Sequence, residues 1–323
     1  MTLHPSYVER FPLLEGIDSF EQLMGDPALE ERFHAFMQWR DATPPPDVPA
    51  RDDAVDGPHG PVPVRVYSPA DGEQDGRPCL VWMHGGAFVG GDLDMPEADR
   101  TAREVCARAG AVVVSVDYRL AVGGVHYPVP LDDVVAVVRS VRDRAAGLGV
   151  DPQRIAVGGA SAGANLATGA VLRARDEDGW LPAVLVAAYG VFHPVLPSVP
   201  PEVDALLTQV PAMLRFTAEG TAGITANYLG GPPETADGYA MPALADLTHL
   251  CPVLMVDAEG DDLRGSEDPF ARQLTEADVP LRRHVVPGVM HGFLNLPADV
   301  EPVGTAFQLI ADVVAAPALV PAS

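Results

Sequence analysis

The sequence predicts an α/β protein built on a mostly parallel sheet with helices on both faces. Two observations predict it. Short, nearly continuous runs of aliphatic and β-branched residues alternate with longer stretches of helical periodicity, as strands buried on both faces and joined by crossover helices require. One such strand, Arg154 to Val157, runs through Gly158 into Gly159-Ala160-Ser161-Ala162-Gly163 and then into an Ala-rich stretch that can start a helix. Strand, sharp turn and helix are the setting of a G-x-S-x-G nucleophile elbow, in which small neighbours let the backbone turn tightly enough to expose the serine oxygen above the sheet.

The elements follow in order. Phe20, Leu23, Met24, Leu29, Phe33, Phe36 and Met37 recur at three and four spacings, which predicts one or two amphipathic helices interrupted at Gly25-Asp26-Pro27. Residues 43–49, Thr-Pro-Pro-Pro-Asp-Val-Pro, are too proline-rich for helix or sheet and form a stiff linker. Val62, Val64 and Val66 alternate with polar or turn residues as in a half-buried edge strand, and Leu80 to Met83 follows as a buried one. A helix over Glu97 to Ala109, a strand over Ala111 to Asp117 and a helix over Leu131 to Ala146 lead to the strand before Ser161, whose following helix runs to about Arg175. Ala183 to Tyr189, Pro252 to Asp257 and Leu281 to Val286 supply further strands, with helices over Pro269 to Ala277 and Val303 to Val314.

Residues 191–241 break this rhythm. Pro194, Pro197, Pro200, Pro201 and Pro211 punctuate short apolar pieces holding Leu206, Leu207, Met213, Leu214 and Phe216, and the stretch is too long for a simple connection. It is expected to be an inserted helical cap. The predicted organisation is an N-terminal helical part of the cap (1–50), a catalytic domain in two parts (51–190 and 242–323), and the insertion (191–241) between them.

Composition narrows the function. Forty-five acidic residues against 21 basic ones give a net charge of −24, which repels phosphate backbones and anionic lipid heads. All the basic residues are Arg, and without Lys no Schiff base, P-loop lysine or Ser-Lys dyad can exist. Cys79, Cys106 and Cys251 are odd in number and far apart, the pattern of free buried thiols in a reducing compartment. Residues 1–12 hold no continuous apolar run of signal-peptide type, and a soluble cytoplasmic protein is expected.

His84-Gly85-Gly86-Ala87-Phe88 directly follows the strand ending at Met83. Two consecutive glycines there let backbone N–H groups point into a cavity, the geometry of an oxyanion hole, and the run is close to the HGGG-type motif of lipases and esterases.

With these two motifs in hand, the chain from about Val62 onward resembles the hormone-sensitive-lipase-like esterases of the α/β-hydrolase superfamily. Asp117-Tyr118-Arg119-Leu120-Ala121, Tyr228-Leu229-Gly230, residues 258–264 (Ala-Glu-Gly-Asp-Asp-Leu-Arg) and Met290-His291-Gly292-Phe293 carry the likeness further. The resemblance implies an α/β-hydrolase fold with an eight-stranded, mostly parallel sheet, a cap, and carboxylic-ester hydrolysis. It also assigns oxyanion donors to Gly86, Ala87 and Ala162, with Gly85 supporting the turn. The base is expected after the last strand, where His291 lies in a loop opened by Pro287-Gly288, whereas His284 sits inside a strand, His84 belongs to the glycine loop, and His193 and His249 flank the insertion. For the acid, Asp261 follows the strand ending at Asp257 and matches the family's aspartate before x-Leu-Arg, with Asp262 and Glu259 as alternatives. Ser161, Asp261 and His291 then run in the α/β-hydrolase order.

The chain departs from the family at Ala87, usually a third glycine, at Ala160, usually Asp or Thr, and through residues 121–128. The expected activity is ester hydrolysis through an acyl-enzyme on Ser161. Acyl transfer, lactone chemistry or dehydration on the same nucleophile is the alternative that these departures motivate, and a non-catalytic small-molecule binding module is a remote one. The expected partner is a small-molecule ester, with a homodimer left open, no nucleic acid, no stable membrane insertion, no cofactor and no metal.

Overall fold

The computed structural model describes residues 2–320 except Met24, Gln38, Arg40, Asp41, Ala42 and Glu73; Met24, counted above in an amphipathic helix, lies outside the described residues. Short helices α1 (Pro5–Val8) and α2 (Phe20–Leu23) precede α3 (Pro27–Met37), and Asp26 Oδ1 accepts the Ala28 N–H at 3.0 Å where that last helix begins. After the linker come β1 (Ala50–Gly57), β2 (Gly60–Tyr67), β3 (Arg77–Met83), α4 (Pro96–Ala109), β4 (Val112–Val116), α5 (Val129–Asp143), β5 (Val150–Ala160), α6 (Ala162–Asp178) and β6 (Val184–Ala188). Within the insertion lie α7 (Pro201–Leu207) and α8 (Ala218–Leu229), followed by β7 (Val253–Gly260), α9 (Arg264–Glu276), β8 (Leu281–Met290) and α10 (Glu301–Ala315).

The described residues form one eight-stranded sheet in the order β1-β2-β4-β3-β5-β6-β7-β8, antiparallel at β1/β2 and β2/β4 and parallel from β4 to β8. Strand alternation divides its side chains between two cores. Cys79, Val81 and Met83 of β3 join Leu131, Val134, Leu166 and Phe270 on one face, while Leu80 and Trp82 join Val105, Phe307 and Ile310 on the other. The insertion divides in the same way: Tyr228 of α8 packs into the first core, and Leu206 and Leu207 of α7 pack into the second with Leu3, Tyr7 and Leu14.

Three expectations need correction. Val62 to Val66 is not an edge strand, because β1 pairs alongside it; only Val55 of β1 is buried, so no apolar pattern marks that strand. Pro287-Gly288 does not open the loop before His291 but sits inside β8 as an irregularity with Gly288 at φ +68°. There the Gly288 N–H donates to Glu259 Oε2 at 2.8 Å and its carbonyl accepts from the His4 N–H at 2.8 Å, which replaces the ladder bonds the proline disrupts. Helix α9 starts at Arg264, before Pro269, because Asp261, Asp262 and Leu263 offer carbonyls to the N–H groups of residues 264–267. Short helical turns at Pro5–Val8 and Phe11–Leu14 precede the first amphipathic stretch and were not anticipated.

Candidate active site

The carboxyl ends of β3, β5, β7 and β8 converge on one rim of the sheet, where parallel α/β proteins build their sites. Ser161 stands there between β5 and α6 at φ +54° and ψ −119°, a backbone conformation costly for a side-chain-bearing residue. Its flanking glycines have a steric cause. A Cβ on Gly159 would lie 2.4 Å from the Gly163 carbonyl, and one on Gly163 would lie 2.2 Å from the Met83 carbonyl oxygen and 2.4 Å from that of His84. The elbow therefore closes directly against the end of β3. Ala160, the departure beside the serine, is fully buried and registers with Ala188 of β6, so its side chain faces the core.

The glycine loop after β3 is held from below. Gly86 adopts φ +116° with room for a Cβ denied by the Gly90 carbonyl at 2.0 Å, and Ala87 and Phe88 follow at φ +53° and +64°. His84 is buried and stacks on Tyr118 at 4.5 Å, while the Tyr118 hydroxyl donates to the His84 carbonyl at 2.8 Å. The Gly85 N–H donates to the buried carboxylate of Glu97, whose other oxygen accepts from the Tyr189 hydroxyl. By contrast the N–H groups of Gly86 and Ala87 have no hydrogen-bond partner among the described residues. Ala162 is the first residue of α6, where the helix itself leaves N–H groups unpaired. The departing loop at 121–128 braces this side: Ala121 N–H donates to the Phe88 carbonyl at 2.7 Å, Asn227 of α8 donates to the Ala121 carbonyl at 2.8 Å, and Phe88 stacks on Tyr228 at 4.0 Å.

His291 lies just past β8. Its Nε2 is 3.0 Å from Ser161 Oγ and its Nδ1 is 2.7 Å from Asp261 Oδ2, while Asp261 Oδ1 accepts the Leu263 N–H at 2.8 Å. Burial by itself lowers the imidazole pKa, but the Asp261 carboxylate, through charge and hydrogen bond, with Glu97 and Asp262 behind it, turns the net shift upward from 6.5. The rival residues are engaged elsewhere. His193 contacts Ser266 Oγ at 2.9 Å, Glu259 accepts the Gly288 N–H, and Asp262 accepts a bidentate pair from Arg215 with both distances 2.9 Å.

Aromatic edges enclose the imidazole, with Tyr189 at 5.1 Å and Phe216 at 4.8 Å between ring centroids. Of the insertion's apolar residues, Leu206, Leu207 and Met213 are buried in the core, and Phe216 reaches the site. Glu97, Tyr189, Arg215 and Phe216 were not singled out as site residues from sequence. Tyr189 carried one usable signal, its position at the carboxyl end of a predicted strand; Glu97, in the first turn of a helix after Pro96, looks like any solvated acid. The three cysteines are free and buried, with the Cys79, Cys106 and Cys251 thiols pushed up to about 12 by burial. Among the described residues no helix is long and apolar enough to cross a membrane.

Residues 80–295 match the model of a family described by its alpha/beta hydrolase fold. The chain belongs to the α/β-hydrolase family, in its hormone-sensitive-lipase-like branch. Among relatives of this α/β hydrolase, it is 35% identical to esterase LipI of Mycobacterium tuberculosis over 80% of this chain and 79% of that one. It is 36% identical to carboxylesterase NlhH of the same organism over 75% and 76% of the two chains. In three dimensions it is similar to a hyperthermophilic esterase of the archaeon Pyrobaculum calidifontis, with a TM-score of 0.82 and 31% identity over 99% of this chain and all of that one.

Proposed function

We propose that this protein is a serine carboxylesterase that hydrolyses small-molecule esters through an acyl-enzyme on Ser161. The observation that carries the reading is the unbroken hydrogen-bonded chain from Asp261 Oδ2 through both His291 nitrogens to Ser161 Oγ. In this mechanism His291 takes the Ser161 proton as the oxygen attacks the ester carbonyl, and Asp261 fixes the imidazole tautomer and stabilises the imidazolium. The N–H groups of Gly86, Ala87 and Ala162 hold the oxyanion, while Gly85, whose N–H is taken by Glu97, supports the turn. His291 then protonates the leaving alkoxide, and a water activated by the same imidazole releases the acid.

The same reading makes residues 1–50 and 191–241 a cap on the catalytic domain of residues 51–190 and 242–323, since both contribute to one buried cluster beside the site. It also takes the three free, buried cysteines as the mark of a reducing, cytoplasmic setting.

A fluorophosphonate probe is expected to modify Ser161 stoichiometrically, and Ser161→Ala to abolish turnover of short p-nitrophenyl esters. Undiminished hydrolysis by that variant would overturn the assignment. Normal labelling without turnover of any simple ester would instead favour acyl transfer or lactone chemistry on the same nucleophile.

A further inference from the structure

We propose that Phe216 determines which leaving alcohols the site accepts, and that Arg215 and Asp262 form the latch that holds it in place. The inference rests on the Ser161 reading above and goes beyond it by naming the part of the substrate that the insertion screens.

The latch is built around the residue next to the acid. The Asp262 carboxylate, whose side chain is 8% exposed, accepts three hydrogen bonds. Arg215 Nε donates to Oδ2 and Nη2 to Oδ1, each at 2.9 Å, and the Phe216 N–H donates to Oδ2 at 2.8 Å. The remaining arm of the guanidinium, Nη1, donates to the Leu207 carbonyl at the end of α7, at 2.8 Å. One planar cation thus fixes α7, the backbone of residue 216 and the loop holding Asp261, a task suited to the rigid fork of Arg. Its product is the position of the Phe216 ring, edge-on to His291 at 4.8 Å and 73°.

Chemistry identifies what that ring meets. His291 Nε2 must deliver its proton to the departing alkoxide, so the alcohol portion stands on the histidine side of Ser161, while the carbonyl oxygen points to the glycine loop. Phe216 borders the histidine side. Leu206, Leu207 and Met213 of the same insertion are buried in the second core. The charged groups facing the imidazole are Asp261, Glu97 and Asp262, and Arg215 neutralises the last of these.

The test measures kcat/KM for ethyl, butyl, benzyl and 1-naphthyl acetates, which vary only the alcohol, beside p-nitrophenyl acetate and hexanoate, which vary only the acyl group. Phe216→Ala is expected to raise the benzyl-to-ethyl ratio about tenfold, the order of a pocket-size change, and to leave the acyl ratio unchanged. Arg215→Met should shift the same ratio in the same direction, and adding Phe216→Ala to it should add little, because both act through one ring. Arg215→Met paired with Asp262→Asn leaves no unpaired buried charge and should show the same selectivity in a stably folded chain. The pH profile separates positioning from damage. Arg215→Met alone leaves the Asp262 charge bare and moves the acid limb of kcat/KM to higher pH, whereas Asp262→Asn alone moves it lower. An unchanged alcohol ratio in Phe216→Ala, full additivity with Arg215→Met, or a shift in the acyl ratio instead would overturn the latch. Loss of Ser161 labelling and of ethyl acetate hydrolysis in the wild-type protein would point to failure of the underlying esterase reading.

Discussion

The two halves of the site are held by different means. Ser161 and the glycine loop are set chiefly by backbone packing: Gly159, Gly163 and Gly86 stand where a Cβ would come within 2.4 Å of backbone atoms, and Glu97 and Tyr118 add side-chain bonds beneath the loop. Asp261, His291 and the Phe216 ring beside them are set by side chains reaching from afar, with His291 tied to Asp261 across 30 positions and Arg215 to Asp262 across 47. The first kind of constraint admits one residue type and tolerates no relaxation. The second is built from pairs, each of which can be weakened singly.

Substitutions should therefore grade from collapse to nuance. The largest effect is expected at Gly163→Ala, whose new Cβ meets the Met83 carbonyl oxygen at 2.2 Å; soluble yield, near-ultraviolet circular dichroism and Ser161 labelling should all be lost together. On the side-chain half, Asp261→Asn should preserve fold and labelling geometry yet lower kcat by about 10⁴, the cost of the wrong histidine tautomer. Stopped-flow burst measurements with p-nitrophenyl acetate would show whether acylation itself has slowed.

Glu97→Gln should be milder, about tenfold in kcat, because the amide oxygen can still accept the Gly85 N–H. Its signature is in the pH dependence. The wild-type imidazole is held above its usual 6.5, and the neutral form is the one that accepts the Ser161 proton, so the acid limb of kcat/KM should lie above 6.5. Removing one of the carboxylates that raise it should move that limb to lower pH. The smallest effect belongs to Ala87→Gly. Relieving a left-handed alanine should stabilise by at most about 1 kcal/mol, seen as a small rise in the urea midpoint with kcat almost unchanged.

The same contrast explains what could be read from sequence. Strands β3 to β7 announced themselves through apolar runs and β2 through apolar alternation, and the elbow and the glycine loop through glycines that sterics make obligatory, so Ser161 and the glycine loop were legible from local spacing. Asp261 and His291 were legible through their order along the chain and the family likeness, which follow from strand order in a parallel sheet. Strand β1 was not, because its ladder to β2 uses backbone groups while seven of its eight residues keep side chains out of the core. Glu97 and Arg215 were hidden for a related reason: a charge is local in sequence, but its burial is a property of the distant element that covers it.

The seam at Gly288 has a consequence for heat. The strand that carries His291 is fastened through its Gly288 carbonyl to the His4 N–H, at a point where proline and an irregular register have already thinned its own ladder. The segment that supplies this bond is held by the buried side chains of Leu3, Tyr7, Leu14 and Ile17 and by Arg10 and Arg32, which donate to the Phe36 and Leu13 carbonyls, and its opening would cut that tie while leaving the central strands intact. On warming, catalysis should then fade several degrees before the far-ultraviolet signal of the sheet changes, and on cooling it should return without a refolding lag.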